Sequence, residues 1–329
     1  MAQKPYAYAT LEAIALMMRE YPDMVYIYEY AQPVATLPDG TILNVAREFG
    51  PVRTSGEKGG WALDEPWYVG CATGIAATGV RAVARLPSMT TTIALEYIFN
   101  QVGNFRMMTG GQAELPMVVW IDGAGRTRGS AQQHTQVGHE ALYANLPGLK
   151  VVVPSDAYVA KGLLITAIRD PDPVIFCDYR EVAAGEQPDV PDEAYEVPIG
   201  TALVRQEGTD LTLVSWAPAT VDVKLALPEI EAAGISVEYI DLITIKPMDV
   251  DTVVNSVKKT GKLLVVEHGY WTNGFSANVV AEVVQALDGA KIRRITFPDA
   301  AGPSAAEMIN WMRPDAPKIV DAVKKVAAL

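Results

Sequence analysis

Along its length this chain alternates short apolar, β-branched runs with stretches whose apolar positions recur every three to four residues. The alternation breaks once, over 181–198. Strand-like runs separated by helical stretches require crossover connections, which restricts the chain to the α/β class with mostly parallel sheets. In the first half, strands are expected at 25–29 (VYIYE), 82–86 (AVARL), 117–121 (MVVWI), in LKVVVP and in DPVIFCDY. Helices are expected over 9–21, 66–80 and 91–108, and from Ser155–Asp156 onward with Ser155 as the cap. MVVWI is almost continuously apolar, as suits a strand covered on both faces. Residues 34–62, rich in Gly, Pro and Thr, read as one long loop, a length that in compact domains usually serves function. The segment EVAAGEQPDVPDEAYEVP loses all periodicity and gains acids and prolines, which marks a domain boundary. Beyond it the pattern restarts, with strands LTLVSWA, ISVEYID, KLLVVEH and IRRITFP and helices over 220–234, 249–259, 274–287 and 315–328. The expected architecture is two doubly wound α/β domains, 1–185 and 197–329, joined by a linker at 186–196.

Charge narrows the partners. Lys and Arg total 27 against 39 Asp and Glu, a net charge of −12 without a basic stripe, so the chain would repel a phosphate backbone. Two cysteines, Cys71 and Cys177, are too few for a disulfide framework or a zinc site, and their apolar surroundings suggest buried thiols. No run approaches the ~18 apolar residues that a membrane helix needs. The first residues lack the apolar core and cleavage site of a signal peptide, so a cytoplasmic location is expected.

The residues that could carry chemistry are few. The three histidines are His134, His139 and His268. His134 and His139 are five apart, too far round a helix to share a face, and no metal-binding pattern surrounds them. Nucleophile-elbow and P-loop patterns are absent. The Gly-rich stretch 122–134 lacks the GxGxxG order. Glu29 ends a strand, and Glu65 stands just before a helix between Trp61 and Trp67. A carboxylate there is either a helix-start acid stabilised by the dipole or a partly desolvated acid with a raised pKa, suited to holding or relaying a proton. Composition and spacing leave both readings open.

The ordered segments QHTQ (133–136), PGLKVVVPSDAYVAKGLLITAIRDPDPVIF (147–176), VPIGTALVRQEGTDLTLVSW (197–216) and DLITIKPMDVDTVVNSVKKTGKLLVVE (241–267), with the terminal RPDAPKIVDAV, resemble one family closely. It is the β subunit of the decarboxylating, thiamine-diphosphate-dependent component of 2-oxoacid dehydrogenase complexes, such as those for pyruvate and branched-chain oxoacids. That family resembles transketolase cut in two. The β subunit carries the pyrimidine-binding domain and a transketolase C-terminal-like domain; the α subunit carries the diphosphate-binding domain. The resemblance covers 8–328. The GDG…N signature for Mg²⁺ and diphosphate is missing, since IDGAG at 121–125 begins with Ile and no downstream Asn pair follows. The resemblance therefore implies thiamine diphosphate shared with an α subunit, Mg²⁺ held by that subunit, a heterotetramer of two α and two β chains, and a lipoyl acyltransferase as a further partner.

The resemblance also implies roles for single residues. The family's catalytic glutamate closes a Pro-Ile-Ser-Glu-like tetrapeptide, here Ala62-Leu63-Asp64-Glu65. Glu65 is implied to bond the pyrimidine ring nitrogen opposite the amino group, favouring the tautomer that takes the thiazolium C2 proton. Leu63 is implied to line the pyrimidine pocket, Glu29 to join a buried acidic network, and His134 to contact substrate or intermediate. Four departures stand out. Gly-Glu-Asp-Val has become Tyr28-Glu29-Tyr30-Ala31. The loop before Glu65 is enlarged by EKGGW, and Thr135 replaces serine. Thr90 or Thr91 stands where the family places aromatic residues that stack on the pyrimidine, and threonine has no ring face to offer. Because the departures cluster at the cofactor end, two alternatives stand beside the dehydrogenase reading: an acetoin-type or split-transketolase-like carbon–carbon bond enzyme, and a non-catalytic scaffold subunit.

Overall fold

The computed structural model describes residues 2–29, 33–56, 64–87, 91–124, 137–303 and 305–329. The chain forms two compact units. The first holds 1–124 and 143–199, the second 125–142 and 200–329. The stretch 186–196, expected as a linker, therefore lies within the first unit. There Asp189–Val190 pairs antiparallel with Ala2–Gln3.

Five parallel strands build the sheet of the first unit: β1 (Val25–Tyr28), β2 (Ala82–Pro87), β3 (Met117–Ala124), β4 (Lys150–Val152) and β5 (Val174–Tyr179). Their order is β4-β5-β3-β2-β1. Every residue of β5 is buried, as are 117–121 of β3, which is why these strands read as unbroken apolar runs rather than alternating ones. The helices Tyr6–Glu20 and Ala157–Arg169 pack on each other, and their seam takes in a fully buried lysine. Lys161 donates to Glu12 at 2.8 Å and to the carbonyl of Asp192 at 3.1 Å. Lys4 meets the same Glu12 at 2.6 Å. A buried ammonium is tolerated only when its charge is paired and its donors are used. Here the expected linker supplies part of that pairing.

Local signals explain where the elements differ from expectation. Residues 34–62 contain a hairpin, Val34–Thr36 against Ile42–Asn44, followed by a short helix Val45–Phe49 capped by Asn44. The Pro38-Asp39-Gly40 turn makes it possible: Asp39 accepts from the Thr41 amide at 2.9 Å and Gly40 takes φ +90°. Residues 91–108 are not one helix. A 3₁₀ turn (Thr91–Ala94), a π-helical stretch (Tyr97–Val102) and a short α-turn (Phe105–Met108) divide the segment. The Gly103 amide donates to the Ile98 carbonyl at 2.9 Å. Gly148 approaches so closely that a Cβ on it would lie 1.7 Å from the Gly103 carbonyl oxygen. Asp156, not Ser155, caps the helix Ala157–Arg169, accepting from the Val159 amide at 2.8 Å. Of the two cysteines, Cys177 is buried and Cys71 only partly so.

The second unit repeats the plan with β6 (Leu203–Gln206), β7 (Leu211–Ser215), β8 (Val237–Asp241), β9 (Lys262–Tyr270) and β10 (Lys291–Phe297) in the order β6-β8-β7-β9-β10. The edge strand β6 runs antiparallel to β8, and the other pairs are parallel. Helices Ala219–Ala232 and Ala316–Ala327 pack on each other and bury Val223, Ile230, Ile319 and Val323 with the strand residues Leu213 and Val266. Among the described residues no helix is long and apolar enough to cross a membrane.

Candidate active site

In a parallel sheet the residues free to meet a ligand stand just past the carboxyl ends of the strands. Glu29 directly follows β1, with its amide donating to the Arg85 carbonyl of β2 at 3.2 Å. Its side chain is 3% exposed, and neither carboxylate oxygen has a hydrogen-bond partner among the described residues. Burial pushes its pKa up to about 7, and the charges of Glu65 and Asp64 push it in the same direction. Near neutral pH Glu29 can therefore hold a proton.

Glu65 is the first residue of the helix Glu65–Ala76 rather than a residue before it. Asp64 caps that helix by accepting from the Trp67 amide at 3.1 Å, and Pro66 occupies the first turn, where a missing N–H costs nothing. The Asp64 side chain already serves the helix end. Glu65 is left 3% exposed, with Oε1 buried and unpartnered among the described residues. Two buried acids, close enough for one to raise the other's pKa and with three unpartnered oxygens between them, are costly in an isolated domain. They suit a ligand that offers donors: the amino group of an aminopyrimidine is one, and its ring nitrogen becomes another once a carboxyl group has protonated it. Of the aromatic residues expected to flank Glu65, Trp67 is described: it is 39% exposed and meets the fully buried Tyr68 edge-on at 5.0 Å.

The remaining candidates sort clearly. Thr91 is buried, and its hydroxyl donates to the Pro87 carbonyl at 2.8 Å, so its proton is spent on the backbone. Leu63, Thr90, His134 and Trp61 lie outside the described residues. His139 is buried and its pKa is lowered to about 4 by burial, which keeps it neutral. His268 is tied to Asp222 at 3.2 Å. Among the described residues no three His, Cys, Asp or Glu side chains gather into a metal site.

One polar cluster escaped the sequence reading. At the same carboxyl end, Arg85 meets Asp122 at 3.1 Å and the Tyr26 hydroxyl at 3.3 Å. Its guanidinium lies 4.0 Å from the Trp120 ring centroid, and the Trp120 indole donates to Asp178 at 2.8 Å. Residues Tyr26, Arg85, Trp120 and Asp178 come from four strands, so no local spacing could have announced them.

Comparison with known proteins agrees with this layout. Residues 5–184 match the family model of the transketolase pyrimidine-binding domain, and 200–319 that of the transketolase C-terminal domain. The pyruvate dehydrogenase E1 component subunit β of Acholeplasma laidlawii is 37% identical over 276 residues, which cover 80% of this chain and 81% of the relative. That of Rhizobium meliloti (strain 1021) is 39% identical over 269 residues, 80% of this chain and 58% of the relative. The acetoin:2,6-dichlorophenolindophenol oxidoreductase subunit β of Cupriavidus necator is 38% identical over 268 residues, 80% of this chain and 78% of the relative. Among solved structures, a split-gene transketolase in an inactive β4 tetramer covers 100% of this chain with a TM-score of 0.77 and 21% identity. That last likeness is one of fold.

Proposed function

We propose a function from one premise: the chain belongs to the transketolase-type, thiamine-diphosphate-dependent family of pyruvate dehydrogenase E1 β subunits. It is the β subunit of a thiamine-diphosphate-dependent 2-oxoacid dehydrogenase component. The observation that carries the site reading is the buried, unpartnered Glu65 Oε1 beside the buried Glu29.

When bound, thiamine diphosphate supplies the carbanion chemistry that breaks the bond to the carboxyl group of a 2-oxoacid. Glu65, through Oε1, would hold the aminopyrimidine and exchange a proton with it. Burial makes that contact strong, because no water competes for the oxygen. Glu29, able to carry a proton near neutral pH, limits the negative charge that builds up beside Glu65. Leu63 would add an apolar contact to the ring, Thr90 and Thr91 would stand where the family stacks aromatic residues, and His134 would contact the substrate. The chain lacks the GDG…N sequence, so an α subunit would hold Mg²⁺ and the diphosphate. We place it in a cytoplasmic assembly of two α and two β chains that passes its acyl group to a lipoyl acyltransferase. On this reading residues 1–185 bind the pyrimidine, and 197–329 provide interface.

The test is reconstitution with the α partner and an artificial acceptor such as dichlorophenolindophenol. Acceptor reduction that requires pyruvate or a branched-chain 2-oxoacid, thiamine diphosphate and both chains is the expected result. Reduction with acetoin alone would transfer the chain to the acetoin-cleaving branch. Absence of both activities in a folded, cofactor-loaded assembly would leave a scaffold.

A further inference from the structure

Among the acids buried in the second unit, two act on each other and have no part in the proposed reaction. Glu140 lies in the helix His139–Ala144, just after the Gln133–Gln136 segment, and Glu267 near the end of β9; both are fully buried. The Trp216 indole donates to Glu140 Oε1 at 2.8 Å. Glu267 accepts from the amides of Phe275 at 2.8 Å and Ser276 at 3.0 Å. It thereby caps the helix Ser276–Ala286, which has no side-chain cap of its own. The backbone is cut to fit this arrangement. A Cβ on Gly269 would lie 2.4 Å from one Glu267 oxygen, and a Cβ on Gly274 2.5 Å from the other. Gly138, at φ +73°, packs so tightly that its Cβ would lie 3.0 Å from the Gly269 Cα.

We propose that Glu140, held by Trp216 and facing Glu267, is a positioning residue that roots the chain leaving the Gln133–Gln136 segment on the second unit. Its consequence for turnover rests on the role given to His134 above. Among the described residues, the groups that act most on Glu267 are Glu140, the Ser276 hydroxyl and the two capping amides. His139, kept neutral by burial, brings no charge, and the neighbouring His268 is engaged with Asp222. A proton on Glu267 relieves its repulsion with Glu140. Burial and the Glu140 charge raise Glu267 to about 7. The root therefore loosens as pH rises through neutrality, because release lets Glu267 return to an ordinary carboxylate pKa.

Amide hydrogen exchange over 137–144 in the full-length chain tests this, with rates normalised to intrinsic exchange. Wild type should open about tenfold more at pH 8 than at pH 6, as proton linkage to Glu267 requires. Glu267→Gln should remove that dependence, since the amide keeps the acceptor but does not titrate. Glu140→Ala should expose 137–144 at both pH values, and the milder Trp216→Phe should do so in part, should the alanine variant fail to fold. Unchanged protection in both Glu140→Ala and Trp216→Phe overturns the root, as does a pH dependence that persists in Glu267→Gln. In the reconstituted assembly, Glu140→Ala should lower kcat more than it raises KM. Lost protection with intact kcat overturns the positioning role. If His134→Ala also leaves turnover intact, the fault lies with the reading of His134 and the root itself stands.

Discussion

Glu29 and Glu65 lie 36 residues apart in sequence, yet the charge of Glu65 acts on Glu29 through space, and their variants should separate proton chemistry from folding. Glu65→Gln keeps the shape and the hydrogen-bonding capacity but removes the exchangeable acid. Positioned acid–base groups contribute about 10²–10⁴-fold, so C2-proton exchange of bound thiamine diphosphate in the reconstituted assembly should fall within that range. Thermal stability should change little; an unchanged exchange rate would make Glu65 a helix-start carboxylate and nothing more. Glu29→Gln reports differently. Because the folded pKa is raised to about 7, the native state binds a proton that the unfolded chain has released. Stability therefore falls as pH rises from the ordinary carboxylate value through about 7. The Gln variant should flatten this slope in Tm measured between pH 5 and 8, and should be the more stable protein at pH 8. Glu65 was legible in the sequence because its tetrapeptide precedes a small-residue helix. Glu140 and Glu267 were not: an acid at the end of a buried strand gives no local sign that a helix elsewhere needs a cap.

At the scale of single elements, the strands were legible where burial on both faces made them apolar throughout, as in β3 and β5. The helix over 91–108 was misjudged because its break is made by a neighbour. Only the fold brings the Gly148 backbone against Gly103. Gly148→Ala would force a carbon into that carbonyl, and overpacking of this kind typically costs about 1–3 kcal/mol, occasionally more. A Tm equal to wild type would show that the segment can shift at no cost. The cap at Asp156 is a gentler case. Asp156→Ala removes one acceptor from the helix Ala157–Arg169 and should cost about 1 kcal/mol, measured by urea denaturation, while Ser155→Ala should cost the cap nothing. Ser155 and Asp156 are both good cap residues, so sequence alone could not choose between them by one position.

At the scale of the whole molecule, the break in periodicity near 181–198 drew attention to a boundary whose main chain is held by the first unit. Lys161 binds the Asp192 carbonyl, and Thr166 donates to the Val197 carbonyl at 2.8 Å. The second unit also takes 125–142 from the middle of the chain. An excised 200–329 fragment would lack Glu140 and leave the Trp216 indole and the Glu267 pocket without their cover. It should bind a hydrophobic dye and melt below the intact protein. A fragment as stable as the full chain, with no dye binding, would show that 137–144 adds nothing to the unit.

Because the second unit borrows 125–142, the order of synthesis matters. A ribosome delivers that stretch early, yet Trp216, Glu267 and Gly269, which receive Glu140 and Gly138, are made only later. At about 5–20 residues per second, the interval from 142 to 269 is roughly 6 to 25 s. During it a nascent chain carries Gly138, Glu140 and their neighbours without a seat, while the first unit already has its residues up to Ile199 and can close. Vectorial folding would then include the docking of an early segment onto a later-made unit, and a stalled or truncated product would be caught by quality control at that step.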